Sequence, residues 1–581
     1  MPARHSILAR RALWALPALV VGVLALPLFT DRSFGDDWPD HLWLVWQQAQ
    51  SIAQLDRPSY FLMIHQGVYE PWFAFYGGSF YAVTGAVADL IGGHPTVAFC
   101  GAIIFAFAGA YLGSMWLSLQ LGLRGWRAQI PGLLYVTAPY FITNPFGRGD
   151  VPEMVATSSI PLVAASALAV LRAERVRPLA VAALIFSCAW FAGCHSITLL
   201  WGGTFLLLVA LVVIFAVGWH SVRPRRVLLV LAFAALGAAV DAWFLFPAFA
   251  YNGRVAISQG GLAGFNFDSW RVVFSPFRDE PELLQSGKVN TQMPVLAFVW
   301  ALLVLATAWR RLPWNWRRFA IGMLAITAGV LFLILSDMSG VPKPWFHIQF
   351  PYRAETYVTL GVCALALSAI AAIPFIARRA VRRIALGGFA LIALISFGQA
   401  IQQQWSQPSQ LASRKLVYQP EGKYPPSWYA GFDYADVSLK SIPFADDVAI
   451  EGSTVVGGDG ESFLPVMPNG HADKNTVTFI SPGPRPIATN VYSGPYLVKI
   501  TGPARVIGRS PSNELVIEST APKGTLVRLI FSTAHSAPVV LGVLTTLVAI
   551  AVCLLLGAWT LWRQWRAGGL RLPRRRAGLA R

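Results

Sequence analysis

Three carboxylates and a histidine fall within six positions in Asp36-Asp37-Trp38-Pro39-Asp40-His41, directly after the first strongly apolar run of the chain. Charge beside a bilayer is costly unless it is solvated, paired or used. A carboxylate held there could take the proton of an attacking hydroxyl, which is ordinary general-base work. The plainer reading is a solvated loop with Asp36 or Asp37 as a helix N-cap. Pro39 speaks against an ordinary helix through the cluster. Asp37 is the preferred acid and Asp40 the next. Asp36 comes first and is the better cap.

Three further constellations stand out. Asn144-Pro145-Phe146-Gly147-Arg148-Gly149-Asp150-Val151-Pro152-Glu153 reads as a turn between two apolar runs, with Pro152 in the first turn of the next helix. An Arg148–Glu153 ion pair could simply close that turn, or Glu153 could hold Arg148 ready for an anion. Cys194-His195-Ser196 lies between two apolar runs, where a lone histidine can be a packed, hydrogen-bonded residue or a ligand. Phe350-Pro351-Tyr352-Arg353-Ala354-Glu355 precedes another run. The planar guanidinium of Arg353 offers paired donors to phosphate oxygens, although an arginine in this place can also snorkel to lipid headgroups. Asp241 lies inside an apolar run, where an acid is either functional or bonded to a neighbouring helix.

The elements that must position these residues are helices in a membrane. The 581 residues are 55% hydrophobic and 13% charged, with a mean hydropathy of +0.53, which is polytopic rather than soluble composition. About twelve spans of roughly 20 residues each are expected, near 12–30, 96–121, 129–145, 153–171, 178–194, 197–218, 227–250, 292–309, 319–336, 355–376, 384–401 and 537–561. Arginines cluster in every second connection: Arg124 and Arg127; Arg172, Arg175 and Arg177; Arg223, Arg225 and Arg226; Arg310, Arg311, Arg317 and Arg318; Arg378, Arg379, Arg382 and Arg383. Such alternation marks the cytoplasmic side, so both termini are expected inside and all four constellations outside. The same placement argues against reading the net charge of +18 as a nucleic-acid surface. The five cysteines lie in or beside apolar runs, without metal-ligand spacing. Arg4, Arg10 and Arg11 before an apolar run resemble a signal peptide, and without a clear small-residue cleavage site the segment reads as an uncleaved first span.

The first outer loop, 31–95, is expected to carry amphipathic helices over Gln47 to Leu55 and from Tyr69 through Leu90, lying on the membrane. An extra hairpin through the membrane is the alternative. Residues 402–536 form the soluble domain, where short β-branched runs between turn signals predict a small β-sandwich. Residues 1–401 form the transmembrane domain, 537–562 the last span, and 563–581 a basic tail.

The Asp-rich segment Asp36 to His41, the turn Arg148-Gly149-Asp150-Val151-Pro152-Glu153 and the motif Phe350-Pro351-Tyr352-Arg353 occur in the order of the GT-C membrane glycosyltransferases, over roughly residues 10–400. The chain resembles that superfamily. More closely, it resembles the bacterial membrane-protein family labelled as related to 6-pyruvoyl-tetrahydropterin synthase, although it has no zinc-ligand histidine set. The resemblance implies a GT-C-like fold and inverting transfer from a polyprenyl-phosphate sugar to an envelope glycan, lipid or protein at the outer face of a bacterial inner membrane. It implies an acid of the first outer loop (Asp36, Asp37 or Asp40) as base or ligand of a divalent metal, magnesium or manganese, with Asp37 and Asp40 as the candidate ligands. Phosphate and substrate contacts would come from His41, Arg148, Glu153, His195, Arg353 and Glu355. The competing readings are a lipid or glycan transporter and a catalytically inactive envelope scaffold. Polar residues gathered at one face rather than at mid-membrane argue against a transporter.

Overall fold

The computed structural model describes residues 15–30, 34–35, 37–62, 69–218, 223–255, 270–276, 282–284, 287–336, 338, 340–342, 345–348, 350–407, 476–484, 486–489, 491–494, 496–509 and 514–566. Among them, seven single helices are long and apolar enough to cross a membrane, and an eighth span forms if one broken pair is counted as one. The seven coincide with expected spans. We label them with their neighbours in chain order: α1 Ala15–Phe29, α2 Trp38–Leu55, α3 Trp72–Phe75, α4 Gly78–Leu90, α5 Pro95–Gln120, α6 Ile130–Val136, α7 Pro139–Thr143, α8 Val151–Arg172, α9 Pro178–Cys194, α10 Ser196–Val217, α11 Pro224–Ala239, α12 Ala242–Tyr251, α13 Trp270–Val273, α14 Val295–Ala308, α15 Trp314–Leu335, α16 Glu355–Ala372, α17 Arg379–Trp405 and α18 Ala537–Arg566.

Proline begins many of these helices, where its missing amide hydrogen is not needed. The same chemistry explains two departures from the sequence reading. Residues 129–145 are not one span. Pro139 holds Ala138 extended, at ψ 144°, and separates α6 from α7. The chain then makes one π turn over Asn144–Arg148. Pro39 does not exclude a helix from the Asp-rich cluster either. It sits in the first turn of α2, so Asp40 and His41 are helical and the cap position belongs to Asp37 rather than Asp36, which lies outside the described residues.

The expected span 227–250 is broken, with α11 and α12 meeting at 84° around Asp241. The span expected at 292–309 holds the 14-residue α14, followed by a 3₁₀ turn over Trp309–Arg311. The helix α2 is not laid on an open face. Trp38, Leu42, Leu44 and Val45 are fully buried in the bundle, and it packs on α4 and α5. Close pairs use glycine: a methyl group on Gly113 of α5 would approach the Leu162 amide of α8 to 2.8 Å.

The β-rich unit contains β3 Thr476–Ile480, β4 Pro486–Ala488, β5 Val498–Thr501, β6 Ala504–Arg509, β7 Leu515–Ser519 and β8 Leu526–Thr533, and a hairpin of β1 Glu282–Leu284 and β2 Gly287–Val289 lies earlier in the chain. Two antiparallel three-stranded sheets form, ordered β3-β8-β5 and β4-β7-β6. Alternation on β8 turns Val527, Leu529 and Phe531 inward. They share one core with Phe479, Ile487, Leu515 and Ile517, and that core continues into Tyr60, Phe61, Tyr69, Phe75 and Phe244 of the helical part. The Tyr492 amide donates to the Tyr69 carbonyl at 3.0 Å, so the unit clasps the segment that leads into α3. Residues 408–475 of the expected soluble domain lie outside the described residues.

Candidate functional site

The starts of α2, α8, α10 and α16 and the end of α9 meet at one end of the bundle, while the arginine-rich connections flanking α8, α9, α10, α15 and α16 lie at the other. At the first end sits a buried ionic cluster. The geometry begins with the π turn, a widened turn of the kind often found at functional sites. It closes on Gly149 at φ +86°, a left-handed conformation suited to glycine. Arg148 therefore turns inward. Its Nη1 donates to Glu153 Oε2 at 2.9 Å and to the Tyr140 hydroxyl at 3.0 Å, and its Nη2 donates to Asp150 Oδ2 at 2.9 Å. Asp150 also caps α8, accepting from the Glu153 amide at 3.1 Å.

Arg353 enters from 203 residues away along the chain and approaches the same acids: Nη2 lies 3.4 Å from Asp150 Oδ2, and Nε lies 3.4 Å from Glu153 Oε2. Arg148 is 3% exposed and Arg353 7%. Their guanidinium groups also sit over Phe350, at 5.9 and 5.4 Å. Tyr140 donates to Glu153 Oε1 at 2.8 Å. Buried charges persist only when each is paired and hydrogen-bonded, and here each is.

Asp37 stands at the edge of this cluster. Its side chain is 39% exposed, and Oδ2 lies 3.8 Å from Arg148 Nη2. Asp40 is buried in the first turn of α2 and belongs to neither potential metal-ligand group of the cluster. His41 and His195 flank Tyr76. His41 stacks on its ring at 5.9 Å, and His195 meets it edge-on at 5.3 Å. The Tyr76 hydroxyl donates to Asp150 at 3.2 Å. His41 Nδ1 is 2.5 Å from the Tyr81 hydroxyl, and its Nε2 faces Asp150 Oδ1 at 3.9 Å. His195 Nδ1 accepts from the Thr198 amide at 3.1 Å and caps α10. Glu355 is buried at the start of α16, within the same helix end as Arg353.

Burial makes both histidines hard to charge, which outweighs the nearby Asp150 carboxylate. Together with repulsion from Arg148 and Arg353, it holds His41 down at about 4 and His195 at about 3. Burial pushes Asp150 the other way, but Arg148, His195, Arg353 and His41 outweigh it and hold its carboxyl well below the usual carboxylate range.

The cluster brings together Asp37, His41, Arg148, Glu153, His195 and Arg353 of the residues singled out in the sequence. Asp150, Tyr76, Tyr81 and Tyr140 join the cluster without having been singled out as site residues in the sequence. Asp150 carried a signal: an acid followed three residues later by Glu, just before an apolar run, is the pattern of a capped helix start. The tyrosines carried none.

Among the described residues, two donor sets could hold a metal, since their ligand atoms lie within 4.8 Å of one another: Asp37, His41 and Asp150, and Asp150, Glu153 and His195. The second fits poorly, because Glu153 is filled by Arg148 and Tyr140, and His195 Nε2 faces Arg353 Nη1 at 3.5 Å. The first shares the limit that Asp150 is filled by Arg148, Arg353, Tyr76 and the Glu153 amide, but its other two ligands fit a divalent cation better. Its histidine turns Nε2 inward, and Asp37 is half-open.

The chain is therefore a multi-pass helical membrane protein with a buried, mutually paired ionic cluster at one end of its bundle. No family model and no curated protein sequence matches it. Among solved structures it is similar to the arabinofuranosyltransferase AftD from Mycobacteria, with 16% identity and a TM-score of 0.45 over 73% of this chain and 28% of that one. It is similar also to ArnT from Cupriavidus metallidurans bound to undecaprenyl phosphate, with 14% identity and a TM-score of 0.39 over 67% of this chain and 76% of that one. A third is the oligosaccharyltransferase AglB from Archaeoglobus fulgidus in complex with an inhibitory peptide and a dolichol-phosphate, with 12% identity and a TM-score of 0.40 over 74% of this chain and 62% of that one. The chain thus spans only 28% of the AftD structure it matches.

Proposed function

We propose that the protein is a GT-C-like membrane glycosyltransferase that moves a sugar from a polyprenyl phosphate to an envelope glycan, lipid or protein. The acting face is the periplasmic side of a bacterial inner membrane, and both termini are cytoplasmic. The observation that carries this reading is the half-exposed Asp37 carboxylate beside the buried Arg148, which shares Asp150 and Glu153 with the buried Arg353. In inverting transfer an acceptor oxygen bonds to the anomeric carbon. Its proton passes to Asp37. The carbon–oxygen bond to phosphate breaks, and its electron pair stays on the phosphate oxygen. Arg148 and Arg353 oppose that new negative charge from a site closed to water, where fixed charges act strongly. Asp150 and Glu153 hold the two guanidinium groups in place between turnovers. His41 and His195 stay neutral and offer hydrogen bonds to sugar hydroxyls. A divalent magnesium or manganese ion, where bound, would be held by Asp37, His41 and Asp150 rather than by Asp37 with Asp40, and would supply Lewis-acid neutralisation of phosphate charge.

A second reading, an inactive scaffold, is favoured by one observation: Asp150 and Glu153 already satisfy both arginines. Purified protein given a polyprenyl-phosphate sugar and candidate acceptors separates the two. Transfer predicts release of the lipid phosphate that is lost in Asp37→Asn, whose fold should persist. No release from the wild-type protein with any acceptor, or full release by Asp37→Asn, would overturn the assignment.

A further inference from the structure

We propose that the end of the bundle opposite the ionic cluster holds an anionic phospholipid, with one acyl chain in a groove between α14, α15 and α16 and its phosphate at Arg310 and Arg311. The groove has a volume of about 350 Å³. Leu302, Leu305 and Ala306 line it from α14 and Trp309 from the 3₁₀ turn that follows, at the three- and four-residue spacing of one helix face. Ala320 lines it from α15 and Leu365 from α16. The hollow exists because Ala306 and Ala320 are short where a longer apolar side chain would fill the space. Its wall is apolar, so bilayer hydrocarbon enters it without leaving a polar group unsatisfied.

The charge at its end selects the head. Trp309, the first residue of the 3₁₀ turn after α14, is followed at once by Arg310 and Arg311, both exposed in that turn. The other two arginines of this connection are engaged. Arg317 donates to the carbonyls of Leu312 at 2.8 Å and Arg310 at 2.7 Å. Arg318 donates to the Phe215 carbonyl at 3.3 Å and lies over the Phe215 and Trp314 rings. Arg310 and Arg311 thus present guanidinium groups to the headgroup layer, where they pair with phosphate. Basic residues at the end of a span attract anionic lipid by about 1 kcal/mol each. Leu365 lies twelve residues beyond Arg353, roughly 18 Å along a helix axis, so the groove is separate from the ionic cluster and touches the half of α16 that is farther from it.

The full-length protein in mild detergent, titrated with phosphatidylglycerol, with phosphatidylcholine of the same chains and with undecaprenyl phosphate, tests this by native mass spectrometry. One phosphatidylglycerol should be retained over phosphatidylcholine by roughly 30-fold, the factor for two such arginines. The Arg310→Gln/Arg311→Gln double variant should bind both lipids alike. Ala320→Phe, which fills the groove, should retain neither at this site, and Ala306→Leu serves in its place if Ala320→Phe loses thermal stability. Equal retention of the two phospholipids by the wild type, or retention unchanged in the arginine and groove variants, would overturn the proposal. So would displacement of phosphatidylglycerol by undecaprenyl phosphate at equal concentration.

Discussion

The Asp37 backbone amide donates to the Arg148 carbonyl at 2.8 Å, which locks the loop after α1 to the π turn before α8. Two glycines allow this approach. A side chain on Gly35 would collide with the Arg148 carbonyl group, and one on Gly149 would collide with the Trp38 amide. Both glycines have positive φ, at +68° and +86°. Asp37 and Arg148 are therefore held together by backbone, independently of the 3.8 Å side-chain contact between them. Gly149→Ala should lower the melting temperature and abolish turnover together, since it meets both the steric clash and a φ penalty of roughly 1 kcal/mol. A variant with wild-type melting and activity would show that the two segments can part without consequence.

Asp37→Asn and Asp40→Asn should separate by readout. The Asp37 side chain is 39% exposed, so its replacement should leave melting near wild type while cutting turnover by about 10²–10⁴-fold, the usual cost of a lost general base. Asp40 is buried in the first turn of α2, so Asp40→Asn should act first on stability. Equal turnover loss at equal stability in both would favour Asp40 as a second acting acid.

Arg353→Lys retains charge but loses the planar fork that reaches both Asp150 and Glu153. Binding of a polyprenyl phosphate, followed by quenching of Tyr and Trp fluorescence, should weaken at least tenfold, about 1.4 kcal/mol. Arg353→Ala with unchanged binding would remove Arg353 from the phosphate site.

Acid should destabilise the fold in two stages. His41 and His195 are held at about 4 and about 3, below the free value near 6.5. Between those values the unfolded chain binds protons that the folded chain refuses, so stability falls as pH drops from about 6.5 toward 4. Asp150 is held low as well. Its contribution is present above the free carboxylate value near 4 and is lost as pH falls further. Melting temperatures across pH 3–8 should show both stages, and His41→Gln should shrink the upper one. A profile unchanged by that variant would mean that His41 is charged in the fold.

The orientation of the bundle is open to labelling. Lys523 is exposed in the β unit, and Lys523→Cys should react with a membrane-impermeant maleimide from the periplasmic side. Reaction only after the inner membrane is opened would reverse the topology.

Composition and charge alternation determined the membrane class and seven of the expected spans, because hydrocarbon imposes a length and a polarity on any helix that crosses it. The strands at Thr476–Ile480 and Leu526–Thr533 were legible for a local reason, since β-branched runs between turn signals are written in order along the chain. Arg148 and Glu153 were legible as a pair because they share one turn. Tertiary structure alone decided that Arg353 reaches Asp150 across 203 residues, that Tyr76 lies between His41 and His195, and that Asp37 borders Arg148. Those contacts depend on how helix ends come together, which is set by side-chain packing over the whole bundle. A single stretch of sequence carries no record of it.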